Sequence, residues 1–183
     1  MLFEKSPTSI ICPSILHTGS FEAIGMALAN GAHLANPAGA ASAAIGTANL
    51  AIFVPLALQQ SVTVKNVFTH NGGTVAGNVD VGLYSETGTR IFSIGATAQS
   101  GTSVPQVVSI PDQLILPGRY YMALAASNAS ATFMSWLPGT TSAGRLIGLY
   151  QSTSAMPLPV TATFAVFAKG VIPMFGLALE TTV

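Results

Sequence analysis

The sequence predicts an all-β fold, an antiparallel β-sandwich or jelly roll preceded by an irregular, extended N-terminal arm. Three observations carry that prediction. Short runs of alternating apolar residues recur from about residue 48 to the C-terminus, glycine and proline punctuate them closely, and the best-defined run, residues 78–84, does not fit helical spacing. Many short, regularly interrupted strands of this kind build sandwiches and jelly rolls.

Taken in order, residues 1 to about 20 hold Pro7 and Pro13 and no sustained period, which reads as extended chain with one short strand around Ile10. Phe21, Ile24, Leu28 and Ala32 fit a short helical face, although Gly25 and Gly31 each weaken a helix by about 1 kcal/mol relative to alanine. Residues 36–46 are mostly alanine and glycine, with too little side chain to form a core alone. A segment this featureless orders only when something packs on it. Residues 1–46 are therefore read as an assembly arm and 47–183 as the β-sandwich domain.

Within that domain, residues 48–58 form an apolar run whose Pro55 suits an edge or bulged strand. Residues 61–68 alternate and place Val62, Val64 and Phe68 together. Val79, Val81 and Leu83 then share one face, with Asn78, Asp80 and Tyr84 on the other, the pattern of a strand buried on one side only. Residues 85–88 suit a type I turn closed by Gly88 in the left-handed region, after which Phe92 and Ile94 point inward. A polar loop at 99–103 and a strand at 105–110 follow. Pro117-Gly118 predicts a type II turn leading into a strand with Tyr120, Met122 and Leu124 inside. Residues 131–136 and 145–150 read as strands around a Pro138-Gly139 turn. Residues 160–168 alternate, with Val160, Phe164 and Val166 opposite Thr161, Thr163 and Phe167, and residues 172–179 add a last strand.

Charged residues make up only 7% of the chain, against roughly 25% for an ordinary soluble domain. With 50% hydrophobic residues, such a chain is expected to bury surface in an assembly, and the apolar stretch 171–179 offers a centre for an oligomer interface. Six basic and six acidic residues cancel without clustering, which argues against binding nucleic acid or an anionic membrane. Lone Cys12 excludes an intrachain disulfide and reads as a small buried hydrophobe. Glu4, Lys5, Pro7 and Pro13 interrupt any secretory signal. Asn49 and Pro55 break the most apolar window, and no aromatic or basic anchors flank it, so no membrane span is expected.

No motif specifies chemistry. The glycines of residues 72–77 lack the Lys-Ser/Thr and the following helix of a phosphate loop. His17, His33 and His70 lack metal-ligand spacing, and neither metal nor cofactor is expected. His70, Asp80 and Asp112 have no Gly-x-Ser-x-Gly elbow to serve, and the carboxylates are all isolated. Asp80, the only acid placed in mid-strand, reads as a strand-face hydrogen bond or a salt bridge with Arg90 or Arg119. The Asn128-Ala-Ser130 sequon reads as a chance occurrence in a turn. Tyr84, Tyr121, Trp136 and Tyr150 are candidates for an aromatic platform that contacts glycans, against the alternative of core or interface packing.

Residues 51–56 (Ala-Ile-Phe-Val-Pro-Leu), 77–84 (Gly-Asn-Val-Asp-Val-Gly-Leu-Tyr), the Gly101 loop and 116–124 (Leu-Pro-Gly-Arg-Tyr-Tyr-Met-Ala-Leu) resemble the β-sandwich modules of tailed-bacteriophage virion proteins. The likeness covers about residues 48–126. It implies a non-enzymatic structural part of a virion, such as a tail fibre, a baseplate-associated protein or a capsid decoration, commonly a homotrimer. Its partners would be copies of itself and other virion proteins, with a host surface glycan as the ligand of an alternative, adhesive role.

Overall fold

The computed structural model describes residues 15–17, 40–136, 141–146 and 148–179. The strand expected around Ile10, the helix at 21–34, Cys12, His33 and the Pro138-Gly139 turn lie outside them. Every named strand pair is antiparallel. The chain supplies β1 (Ile15–His17), β2 (Ala40–Ala44), β3 (Leu50–Leu58), β4 (Val62–His70), β5 (Asn78–Ser85), β6 (Arg90–Ser93), β7 (Thr97–Ala98) and β8 (Pro105–Ile115). It continues through β9 (Gly118–Ala126), β10 (Thr132–Trp136), the short helix α1 (Thr141–Leu146), β11 (Tyr150–Ser152), β12 (Ala165–Val166), β13 (Ile172–Pro173) and β14 (Phe175–Leu179).

One sheet runs β12-β11-β3-β9-β5-β6, with β7 also on β5; the others run β1-β14-β4-β8 and β13-β10-β2. The inner face of the large sheet presents alternate residues of β3, β5 and β9, among them Ile52, Val81 and Leu124. The smaller sheets return Val64 and Val67 from β4, Phe133 from β10 and Phe175 from β14 into the same core. The fold is thus the expected all-β sandwich, and each such fully buried side chain favours folding by about 1.5–3 kcal/mol. Residues 40–44, placed by sequence in the arm, form β2 on the edge of a sheet; β1, also in that segment, pairs with β14.

Several local expectations hold for the reasons given. Gly88 takes φ +85° and donates its N–H to Ser85 O, closing the β5–β6 turn. Pro55 lies two residues past Phe53, where the β11 ladder ends. Ser127 N donates to Asn78 O, so odd residues of β9 bond β5, even ones bond β3, and the proline ring nitrogen faces the open side of β3. β3 is central over its first half and an edge at Pro55, where a missing N–H is tolerated.

Other expectations are corrected. A bulge between Val64 and Asn66 shifts the alternation of β4, so Val67, not Phe68, joins Val62 and Val64 inside. Gly118 takes no positive φ, which a type II turn would need there; it enters β9 directly, opposite Leu58. Residues 145–150 are not one strand: 141–146 is helical, Leu149 N returns to Gly144 O, and pairing begins at Tyr150. Residues 160–168 pair only through a Thr161–Thr89 bridge and the two-residue β12. The apolar stretch 171–179 is no interface centre, because Ile172, Phe175 and Leu177 are buried in the chain's own core.

Candidate functional site

The outer face of the large sheet is where the sequence misleads most. Asp80, Gly82 and Tyr84 lie on it in β5, beside Ala125, Ala123 and Tyr121 of β9 and then Ala51, Phe53 and Pro55 of β3. A strand buried on one side only would expose this row. Instead Asp80 and Tyr84 are fully buried, because residues 153–164, the excursion between β11 and β12, cross it as a strap. Small residues make room for the crossing. A Cβ on Gly82 would sit 2.6 Å from Phe92 O and 3.0 Å from Leu158 Cδ1. Such close approach of another chain segment is a use to which strands put glycine.

Polar groups pin the strap along its length. Ala155 N donates to Asn49 O, Leu158 N to Asp80 Oδ2 at 2.9 Å, and Tyr84 Oη to Pro159 O at 2.6 Å. Arg90 donates its guanidinium to Leu158 O and its backbone N–H to Val160 O, and Ala162 N donates to Gly88 O. Leu158 and Ala155 complete a second small core with Phe53 and Tyr84, whose rings meet edge to face at 5.3 Å.

The strap does not cover the whole face. It ends at Phe164, which packs on Phe53 at 5.1 Å, on Tyr121 at 4.7 Å and on Tyr150 at 5.2 Å; Tyr121 and Tyr150 also meet edge to face at 5.7 Å. Beyond this aromatic wall the sheet lies open as a cleft of about 320 Å³ lined by Pro55, Ala57, Arg119, Tyr120, Tyr121 and Glu86, among others. Arg119 Nη1 stands 3.5 Å from Glu86 Oε1, both side chains more than half exposed. Burial pushes the Tyr121 hydroxyl up from its usual range, with Tyr150 and Glu86 adding to the rise and Arg119 opposing it.

Of the four aromatics singled out by sequence, the structure brings Tyr121 and Tyr150 together. Tyr84 is corrected: the strap buries its ring completely, so it cannot present a face to a ligand. Trp136 ends β10 in the β13-β10-β2 sheet and packs against the main core, apart from the cleft. Phe164, Glu86 and Arg119 were missed. Arg119 and Tyr121 share a strand face at i, i+2, and Glu86 sits in the hairpin turn beside them, so the signal was present in the alternation.

The remaining candidates stay separate. Asp112 pairs with Lys65 at 3.5 Å, while His70, at the opposite end of β4, has Nδ1 3.2 Å from Asn71 O, and Asp80 lies under the strap in another sheet. Asn128 Oδ1 accepts from Ser130 N and Oγ, capping an exposed turn. Residues 72–77 are loop, with Gly72 N donating to Thr132 O. Among the described residues, no group of three His, Cys, Asp or Glu is placed to hold a metal, and no helix is long and apolar enough to cross a membrane.

Asp80 accepts from Leu158 N and, at 3.3 Å, from Ser93 Oγ, whereas its Oδ1 has no well-formed hydrogen bond among the described residues; the expected salt bridges are replaced by Arg90 on Leu158 O and Arg119 on Glu86. Burial outweighs these hydrogen bonds, the nearby Gly95 backbone N–H and the Arg90 charge, raising its pKa above the ordinary 3.8. A raised native pKa means that Asp80 contributes stability fully below its unfolded-state pKa and loses it as pH rises through the native value. Asp80→Asn keeps an acceptor for Leu158 N without a buried charge. Its melting temperature at pH 7 is therefore expected at or above wild type, with the gap closing in acid. A pH series of thermal melts checks this, and a gap that widens toward acid contradicts it.

Set against known proteins, the chain matches no family model, no curated protein and no solved structure. What defines it is an antiparallel all-β sandwich with a strapped outer face and an aromatic-walled cleft.

Proposed function

We propose that this chain is a non-enzymatic structural component of a bacteriophage virion, a tail fibre, baseplate-associated or capsid-decoration protein that works as a homo-oligomer. The observation that carries the association is apolar exposure on a nearly uncharged chain. Val107, Leu114 and the following Leu116 are 61%, 66% and 59% exposed along β8, which among the described residues is an edge of its sheet and is eleven residues long. Long apolar edges invite pairing with another chain, and a free monomer normally blunts them. Here Pro111 and the Lys65–Asp112 pair guard only one point. The virion setting and the number three rest on the resemblance of residues 48–126.

Light scattering on the purified chain is expected to give a trimer at micromolar concentration, and Val107→Lys with Leu114→Lys to release monomers whose near-UV circular dichroism is unchanged. A wild-type monomer at that concentration overturns the oligomer. Stoichiometric recovery of the chain from purified particles is expected, and its absence rejects the virion role.

A further inference from the structure

We propose that the cleft beyond the strap is a binding site for a neutral saccharide, seated on the Tyr121–Pro55–Ala57 surface and hydrogen-bonded by Glu86 and Arg119. This goes beyond the structural role and does not depend on the oligomeric state.

Four features of the cleft select that ligand class. Its floor has an apolar side: by register Pro55 stands beside Tyr121 and Ala57 beside Arg119, and Pro55, Tyr121 and Ala57 offer ring and methyl surface to the C–H face of a sugar. Its rim holds an acceptor and a donor side by side, with Glu86 Oε1 and Arg119 Nη1 3.5 Å apart. Adjacent hydroxyls on a sugar ring need that arrangement, one donating to the carboxylate while the next accepts from the guanidinium. The two charges cancel, so the cleft neither attracts an anion nor a cation at long range. A volume of about 320 Å³ lies at the lower end of ligand sites, which run from about 300 to 1,000 Å³, and suits one or two sugar rings.

An extended peptide is the competing occupant, because the cleft borders the open half of β3. Pro55 opposes it. An added strand would need the N–H that this residue lacks on its open side. The site is also built, in that Tyr121 is held by Tyr150 and Phe164 at 5.7 and 4.7 Å, so its ring is positioned before any ligand arrives. A ring fixed in advance loses little conformational freedom on binding.

The test is saturation-transfer NMR followed by calorimetry on the full chain. The probes are glucose, galactose, mannose, N-acetylglucosamine and their oligomers up to trisaccharides, with sialyllactose as an anionic arm and an unstructured eight-residue Ser/Thr/Val peptide as a strand arm. At least one neutral sugar is expected to bind with millimolar affinity or better. Glu86→Gln and Arg119→Ala are each expected to weaken it by about tenfold or more, the loss of a charge-assisted hydrogen bond. Both side chains are mostly exposed, so these variants are expected to keep Tm within about 2 °C of wild type. Tyr121→Ala removes the ring and is expected to abolish binding; Tyr121→Phe, which keeps the ring, retains it. The proposal is overturned if no neutral sugar binds up to about 10 mM, if bound sugar is indifferent to both rim substitutions, or if the anionic sugar or the peptide binds in place of the neutral ones.

Discussion

Val81→Asp is expected to leave the chain unfolded at 25 °C. Val81 is fully buried on the inner face of β5, opposite Leu124 of β9, and its own carbonyl already accepts from Ile94 N. The substitution forfeits about 1.5–3 kcal/mol of apolar burial. It also places a carboxylate where no donor faces it, which costs several kcal/mol more whether the group ionises or takes up a proton. Against a total stability of about 5–15 kcal/mol for a domain, the sum removes most or all of the folded population. Val81→Ala makes a cavity without a polar group and is expected to keep the fold with a lower melting point. Far-UV circular dichroism and amide-proton dispersion distinguish the two; a cooperative melt of Val81→Asp near the wild-type temperature contradicts the inward placement of Val81.

The comparison with Asp80 sharpens this expectation. One residue away and equally buried, a carboxylate is native there. Its tolerance comes from the strap and from β6, since Leu158 N of the first and Ser93 Oγ of the second both donate to Oδ2. Position in the strand does not decide whether an acid survives burial; the donors that reach it do.

Legibility in the sequence follows the range of the interaction. The inner face of β5, the turn at Gly88 and the inward residues Met122 and Leu124 of β9 are set by two-residue periodicity and turn chemistry, both local, and were read correctly. The outer face depends on a segment more than seventy residues downstream, and no window on β5 contains it. Asp80 and Tyr84 look like a wet face because each carries a polar group, yet their neighbours Gly82, Ala123 and Ala125 are too small for a solvated face and are the trace of something lying on top. The bulge in β4 defeated alternation for a similar reason: against β14 the strand holds one extra residue, Lys65, and only the partner strand reveals it. For the candidate site, the tyrosines drew notice by type, while Glu86 was visible only as an isolated charge and Arg119 only as a possible partner of Asp80. Register converts them into a rim.

Asn71→Ala is expected to lower stability by about 2–5 kcal/mol, the loss of hydrogen bonds to two or more buried partners at about 1–3 kcal/mol each. Asn71 ends the β4 run and is fully buried, and its amide makes all four hydrogen bonds open to it. Nδ2 donates to Ser100 O at 2.6 Å and to Gln106 Oε1 at 3.1 Å; Oδ1 accepts from Thr69 Oγ1 at 3.2 Å and from Gln99 Nε2 at 3.1 Å. Gln99 carries the network on, donating to Thr132 O and accepting from Ala76 N. One side chain therefore joins β4, the 99–100 loop, the start of β8 and, through Gln99, β10. Alanine leaves the buried Thr69 and Gln99 groups short of an acceptor. Asn71→Asp is expected to be worse at neutral pH, because it sets an acceptor against Ser100 O and Gln106 Oε1 and adds a buried charge. Hydrogen exchange gives the local signature: the amides of Gly72 and Ser103, bonded to Thr132 O and Gly72 O, are expected to lose protection beyond the global change in stability. Urea unfolding of Asn71→Ala within about 1 kcal/mol of wild type, with those two amides still protected, would show that the network is dispensable.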